Sequence, residues 1–137
     1  MKNHYSNLGT YLIFWGIALT QLGIGLWAAP RGGVLAVFPL VAVPVALYPA
    51  LRMPMRVDFL EEELLLTYIL VSRHVRWDDV TAVERRVRTF RGDPHYSYRV
   101  CWADPSGKAR AVSLPDTDLT SHWLSRCCGE KIVFCDR

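Results

Sequence analysis

Hydrophobic positions along this chain follow two rules, and the change falls near Leu51. From Leu8 to Leu51 almost every position is apolar, interrupted only by Pro30-Arg31-Gly32-Gly33. Leu8–Ala29 and Val34–Leu51 contain no charged side chain. At about 1.5 Å rise per residue these runs make helices of about 33 and 27 Å, against a hydrocarbon core of about 30 Å. A helix that is apolar all round belongs in a large core or in lipid, and one small domain offers no large core. The pattern predicts a transmembrane helical hairpin, with residues 1–54 as a two-helix anchor.

Gly9, Gly16 and Gly23 recur every seven residues, with Thr20 close to the same stripe. Small residues at that spacing admit a second helix at close range with a left-handed crossing. The short turn makes the second helix the expected partner; self-association into a homo-oligomer is the other use of such a face. Gln21 is the one strongly polar side chain deep in the first helix. Pro39, Pro44 and Pro49 each free a carbonyl about one turn earlier in the second. Gln21 is read as a hydrogen-bonding group across the hairpin. A transport route is not supported, because neither run carries a charge.

After the linker Arg52–Pro54 the period becomes two, the signature of strands. Val57 and Phe59 alternate with Arg56 and Asp58. Glu61-Glu62-Glu63 makes a charged turn, and Leu64–Val71, apolar on both faces, predicts a central covered strand. Arg73–Trp77 alternates again before a corner at Trp77-Asp78-Asp79-Val80, where Asp side chains are expected to bond backbone N–H groups. Thr81–Phe90 predicts a long strand with Val83 and Val87 on one face and Glu84, Arg86 and Arg88 on the other; Arg85 falls on the apolar face. Arg91-Gly92-Asp93-Pro94 is a turn, and His95–Asp104 a strand with Tyr96, Tyr98, Val100 and Trp102 on one side. Pro105-Ser106-Gly107-Lys108 turns the chain into Ala109–Leu114. A helix follows to about Cys128, capped by Asp116 or Thr117 and stopped by Gly129, with Leu119, Trp123 and Cys127 facing inward. Lys131–Cys135 adds a last short strand. Residues 55–137 thus form one domain of about seven strands and a late helix, an α+β arrangement behind a membrane anchor.

Charge sharpens this division. All thirteen acidic residues lie at or beyond Asp58, whereas Lys2 and Arg31 are the only basic residues up to Leu51. Arg52–Arg137 holds fourteen basic and thirteen acidic residues, a net charge of +1 that does not describe a nucleic-acid-binding tail. Lys2, Arg52 and Arg56 flank the outer ends of the helices and Arg31 alone the turn, so both termini are expected in the cytoplasm of a plasma (inner) membrane. Cleavage as a signal peptide after Ala29 would require a small residue where Trp27 stands. The cysteines Cys101, Cys127, Cys128 and Cys135 would then occupy a reducing compartment, and none forms the C-x-x-C pair of a zinc site.

The run Val75-Arg76-Trp77-Asp78-Asp79-Val80-Thr81-Ala82-Val83 resembles the strand, Trp-Asp-Asp corner and strand of the bacterial pleckstrin-homology-like (PH-like) domain family of small membrane proteins. The Asp104–Lys108 turn and the Leu114-Pro115 lead into the helix fit the same pattern. The resemblance covers about Met55–Cys128. It implies an antiparallel β-barrel or sandwich closed by a C-terminal helix, and no shared catalytic residues. The chain departs from the family at Glu61–Glu63, where a glycine is usual, and in the tail Lys131–Arg137.

The residues offer little chemistry for catalysis. Asp78 and Asp79 are adjacent and do not face each other as an acid pair. His74, His95 and His122 lie on separate elements, and no glycine-rich phosphate loop is present. The expectation is a protein that is not an enzyme and uses no cofactor or metal. Arg73, Arg76, Arg86, Arg88 and Arg91 are the candidate lipid- or partner-binding residues, expected on two neighbouring strands. A basic surface near a bilayer gains about 1 kcal/mol per residue from anionic headgroups. The expected work is binding of a protein partner at the membrane, helped by lipid contact. The alternative is a small accessory subunit of a larger membrane complex, with the hairpin making the contacts.

Overall fold

The structure is a computed structural model describing residues 3–135, apart from the side chains of residues 35, 36 and 135. Lys2, used above for orientation, lies outside the described residues. The chain is α+β. Strand β1 (His4–Ser6) precedes helices α1 (Leu8–Ala28) and α2 (Val34–Arg52). Strands β2 (Arg56–Phe59), β3 (Glu63–Thr67), β4 (Ser72–Arg76), β5 (Val80–Phe90), β6 (Asp93–Ala103) and β7 (Ala109–Pro115) follow, then helix α3 (Asp118–Cys128) and strand β8 (Ile132–Cys135). They form two open four-stranded sheets, ordered β1-β2-β3-β4 and β7-β6-β5-β8, and neither closes into a barrel. β5–β6 and β6–β7 are antiparallel, whereas β8 joins β5 in parallel. The polar residues before α1 supply β1, a strand that the sequence pattern does not predict. Contacts divide the chain into two compact units: one holds His4–Val57 and Leu66–Ser72, the other Asn3, Asp58–Leu65 and the residues from Arg73 onward.

In the helical unit, α1 presents a seam of Tyr11, Ala18, Gly25 and Ala28, all buried, with Phe14 and Gln21 half-buried between them. Spacings of seven, three and four residues are those of a and d positions. At Gly25 an added Cβ would stand 2.8 Å from Leu40 Cδ2 and 3.6 Å from Pro39 Cβ, so glycine here makes room for a branched side chain of α2. The expected seven-residue period is therefore present, but its phase differs. Gly9, Gly16 and Gly23 are exposed, with nothing within 4 Å of an added Cβ. Two residues along a helix is a turn of about 200°, which carries the glycines to the opposite side from the seam. Close approach is fixed by where a large partner side chain needs space, and a glycine repeat alone does not reveal that.

The two helices are tied together at their chain-terminal ends. Buried Asn7 donates its backbone N–H to Met55 O (2.9 Å) and its side-chain amide to Pro54 O (2.9 Å), and its carbonyl accepts from Tyr11 N (3.0 Å). The Tyr11 hydroxyl donates to the Met53 carbonyl, and the Tyr5 hydroxyl to Asn7 Oδ1. A buried amide is tolerated because its groups find partners. Met55 N donates onward to Thr67 O at 2.7 Å.

In the other unit the alternation works largely as expected. Phe59, Leu64, Val75, Val80, Val83, Val100 and Leu114 are almost wholly buried, and Tyr98 and Trp102 join them. β3 is flanked by β2 and β4, but it ends at Thr67 with one buried face. The continuous strand expected through Val71 does not form: Tyr68 N donates to Val71 O (2.8 Å) and closes a turn. The corner after β4 is anchored by tryptophan rather than by aspartates. Trp77 Nε1 donates to Leu60 O (2.9 Å) and Trp77 N to Glu62 O (3.2 Å), and Trp77 O accepts from Lys131 Nζ (3.2 Å); Asp78 and Asp79 are exposed. The β5–β6 turn is only Arg91-Gly92, both at positive φ (53° and 90°), with Asp93 and Pro94 already in β6. Two such residues build the tight turn whose twist suits a hairpin.

Thr117 caps α3, its Oγ1 accepting from Thr120 N at 3.2 Å. The buried stripe is Thr120, Trp123, Leu124 and Cys128, with Leu119 and Cys127 at its half-exposed margins. The Trp123 ring stacks on Phe59, centroids 6.2 Å apart and planes 18° apart. Its buried indole N–H has no hydrogen-bond partner among the described residues.

Trp123→Ala should therefore cost about 3–5 kcal/mol of unfolding free energy, the usual range for truncating a buried aromatic. Trp123→Phe should cost much less, because stacking on Phe59 is kept and no hydrogen bond is lost. Denaturant unfolding of the detergent-solubilised chain, followed by near-ultraviolet circular dichroism, measures both.

Candidate functional site

Arg85 organises the most distinctive surface. It lies on the β5 face that carries Val83 and Val87, where an arginine has no place in an ordinary core. Asp116, just before α3, resolves this: its Oδ2 accepts from Arg85 Nε (3.1 Å) and Nη2 (2.7 Å). That bond holds the guanidinium pKa above its ordinary value. The guanidinium carbon also lies 4.7 Å from the Tyr96 ring centroid, 5.9 Å from Tyr98 and 6.0 Å from Phe134. Such placement over aromatic faces is electrostatically favourable. Phe90, Tyr96 and Phe134 are large exposed aromatics, Phe134 at 70%. Arg91 lies 5.5 Å from the Phe90 ring centroid, and Phe90 packs edge-on against His95. The β5–β6 hairpin end and β8 thus present aromatic rings around paired and unburied arginines.

The five arginines picked out from sequence are divided between two sheets and the β5–β6 turn, and not carried by two neighbouring strands. Arg73 and Arg76 are on β4, in the first sheet, and Arg86 and Arg88 on β5, in the second. The two strands are consecutive in the chain but are not hydrogen-bonded neighbours, because the Trp77 corner carries the chain from one sheet to the other. Arg76 Nη2 is 3.9 Å from Asp78 Oδ2. Arg86 is held by Glu84, with Nε at 2.9 Å and Nη2 at 2.6 Å from one carboxylate oxygen, and Arg99 approaches the same oxygen at 3.9 Å. The alternation of Glu84, Arg86 and Arg88 is as expected, but two of the three satisfy each other. Arg88, opposite His95, and Arg91 remain at the exposed hairpin end. Arg85, Phe90, Tyr96, Phe134 and Asp116 belong to this site and were not selected from sequence. The visible signal was Arg85 itself, a charge out of register with its strand.

A second feature is a shallow depression of about 340 Å³ lined by Arg73, His74, Trp102, Asp104, Pro105 and Arg110. Its charges are largely internally matched: Arg110 Nε donates to Asp104 Oδ2 (3.1 Å), and His74 Nδ1 lies 2.9 Å from Glu63 Oε1. Among the described residues no group of three His, Cys, Asp or Glu side chains could hold a metal ion. Burial pushes the Cys101, Cys127 and Cys128 thiols above their ordinary pKa, the direction opposite to thiolate activation.

Asp104 shapes the β6–β7 turn. The Ser106 hydroxyl, the Lys108 N–H (2.9 Å), Arg110 and the Ser106 N–H (3.0 Å) all donate to it and hold its pKa at about 2. A carboxylate with a depressed folded pKa stabilises the fold above its unfolded pKa of about 3.9 and loses that contribution as pH falls toward the folded value. Asp104→Asn should therefore lower stability at neutral pH, and the gap to wild type should close between about pH 4 and pH 2. Paired thermal melts across that range check the sign.

No protein-family model matches this chain, and no curated protein is significantly similar to it.

Proposed function

We propose that this protein is a membrane-anchored, non-enzymatic binding module. α1 and α2 cross the plasma (inner) membrane as a hairpin with both termini cytoplasmic, and the β structure is a PH-like domain that binds a protein partner there. The observation that carries the reading is uncharged, exposed apolar surface bounded by interfacial side chains at both ends. Leu8–Arg31 is long and apolar enough to span, only 17% of its most apolar window is buried, and α2 exposes Val37, Phe38, Val41 and Val45. α2 carries a shorter apolar run, Val37–Arg52, within the helix Val34–Arg52. At the turn, Arg31 lies 3.8 Å over the Trp27 ring; at the far end of α2, Arg52 lies 4.6 Å over Tyr48. Aromatic and basic residues favour the two membrane–water interfaces, which is where these pairs stand if both helices cross. Arg52 and Arg56 against Arg31 favour cytoplasmic ends.

The exposed end of the second sheet supports protein binding. Aromatic residues and arginine are enriched in interface cores and binding hot spots, and here Arg85 is held in place before any partner arrives. Arg88 and Arg91 are the arginines best disposed toward a partner's carboxylates or anionic headgroups. One observation favours the second reading, an accessory subunit that docks through its helices: Gly9, Gly16 and Gly23 face away from α2 with open space above each.

A photo-reactive amino acid placed at Arg88 or at Gly16 of the full chain in cells separates the two. The binding-module reading expects a discrete protein adduct from position 88. Adducts from position 16 alone would favour the accessory subunit and reject the domain as the binding element.

A further inference from the structure

The turn between β3 and β4 breaks the polar rule of the other turns. The charged turn contains Glu61 and Glu62, and the β6–β7 turn Ser106 and Lys108, but Tyr68–Val71 reads Tyr-Ile-Leu-Val. Leu70 is 83% exposed and Val71 55%, and Ile69 is also exposed. Contiguous exposed apolar side chains on a tight turn mark a surface that meets something other than water.

Its place in the fold says what. Contacts group Leu66–Ser72 with the helices, β1 and the start of β2, and not with the strands from β5 onward. The residue before the turn, Thr67, accepts from Met55 N at 2.7 Å, and Met55 follows the last residue of α2 by three positions. Met55 O in turn accepts from Asn7 N at 2.9 Å, directly before the first residue of α1. The turn therefore leaves from the knot that joins the two helix ends. At about 3.3–3.6 Å per extended residue, Ile69–Val71 can lie only a short distance from it. Tyr48 and Arg52 lie in the last turns of α2 at this same end. No Asp or Glu occurs between Glu63 and Asp78, so the turn and its flanking strand residues carry no carboxylate of their own. The Tyr68 N–H is satisfied by Val71 O at 2.8 Å, which lowers the cost of taking this backbone out of water.

From these observations we infer that Ile69, Leu70 and Val71 form an apolar foot inserted at the headgroup–acyl boundary of the leaflet that α1 enters and α2 leaves. The inference rests on the membrane reading of the helices and adds a third lipid contact, made by the β structure through hydrophobic side chains rather than arginines. Interfacial amphipathic helices bury their apolar faces about 5–10 Å into the same boundary.

Nitroxide labels on single cysteines test it in the full chain, with the native cysteines replaced by serine, in nanodiscs of mixed neutral and anionic phosphatidyl lipids. Labels go at Leu70, at Leu19 in the middle of α1, and at Ser106 as the aqueous reference; all three positions are exposed, so folding is spared. The expected result is that the position-70 label loses most of its broadening by a water-soluble nickel chelate and gains broadening by oxygen, while position 106 stays nickel-accessible. Nickel access at 70 equal to that at 106, with position 19 deep in lipid, overturns the foot and leaves the anchor standing. A label at 70 shielded from both relaxants means protein covers the turn, which also overturns it. Nickel access at 19 overturns the anchor reading and the foot together.

Discussion

Removing the uncharged sides of α1 and α2 from water is the constraint on which this fold depends. Each helix buries a narrow seam against the other and leaves Leu12, Ile13, Leu26, Phe38 and Val45 exposed. Large apolar side chains gain roughly 1.5–3 kcal/mol each on full burial, so a row of them is comparable to the roughly 5–15 kcal/mol that keeps a domain folded. In the proposed anchor, lipid meets that demand without further protein. The Arg31–Trp27 and Arg52–Tyr48 pairs then stand at the two ends of the apolar surface. The knot of Asn7, Tyr11, Met53 and Met55 holds the open end, where a helix pair joined only at its turn would otherwise splay.

The β structure solves its own version of the same problem. Its core is made by strand alternation and by α3, with Phe59 stacked on Trp123. One position violates the alternation, and it is where polar and aromatic chemistry gather. Arg85 costs desolvation on an apolar face, and Asp116 offsets that with two short N–H···O contacts. A guanidinium held in this way presents a fixed orientation to neighbouring rings. Arg86 is held as closely by Glu84; what separates Arg85 from it is the set of rings, Tyr96, Tyr98 and Phe134, around the guanidinium.

Much of this was legible in the sequence because it depends on local period. The uncharged runs gave helix limits within a residue or so, and alternation gave β2, β5, β6 and β7 and the burial of Trp102. Thr117 and Gly107 acted as their side chains dictate. What failed depends on partners distant in sequence. The phase of the α1 seam is chosen by Leu40, and β1 exists because a strand far along the chain is available to pair with it. Leu64–Val71 looked like one strand because apolar composition does not distinguish a covered strand from an exposed apolar turn. The arginines were grouped by closeness along the chain, whereas the Trp77 corner sends β4 and β5 to different sheets. Arg85 was visible as an anomaly, but its partner lies thirty-one residues away.

The central claim is that both helices cross, and the side on which their connecting turn emerges tests it most directly. In a chain whose native cysteines are serine, single cysteines at Gly32 and at Ser106 can be challenged in intact cells with a membrane-impermeant maleimide. The account predicts labelling at position 32 from outside and none at position 106 until the membrane is opened. Equal labelling at the two positions would mean that α2 does not cross, and the reverse pattern would place the β structure outside the cell.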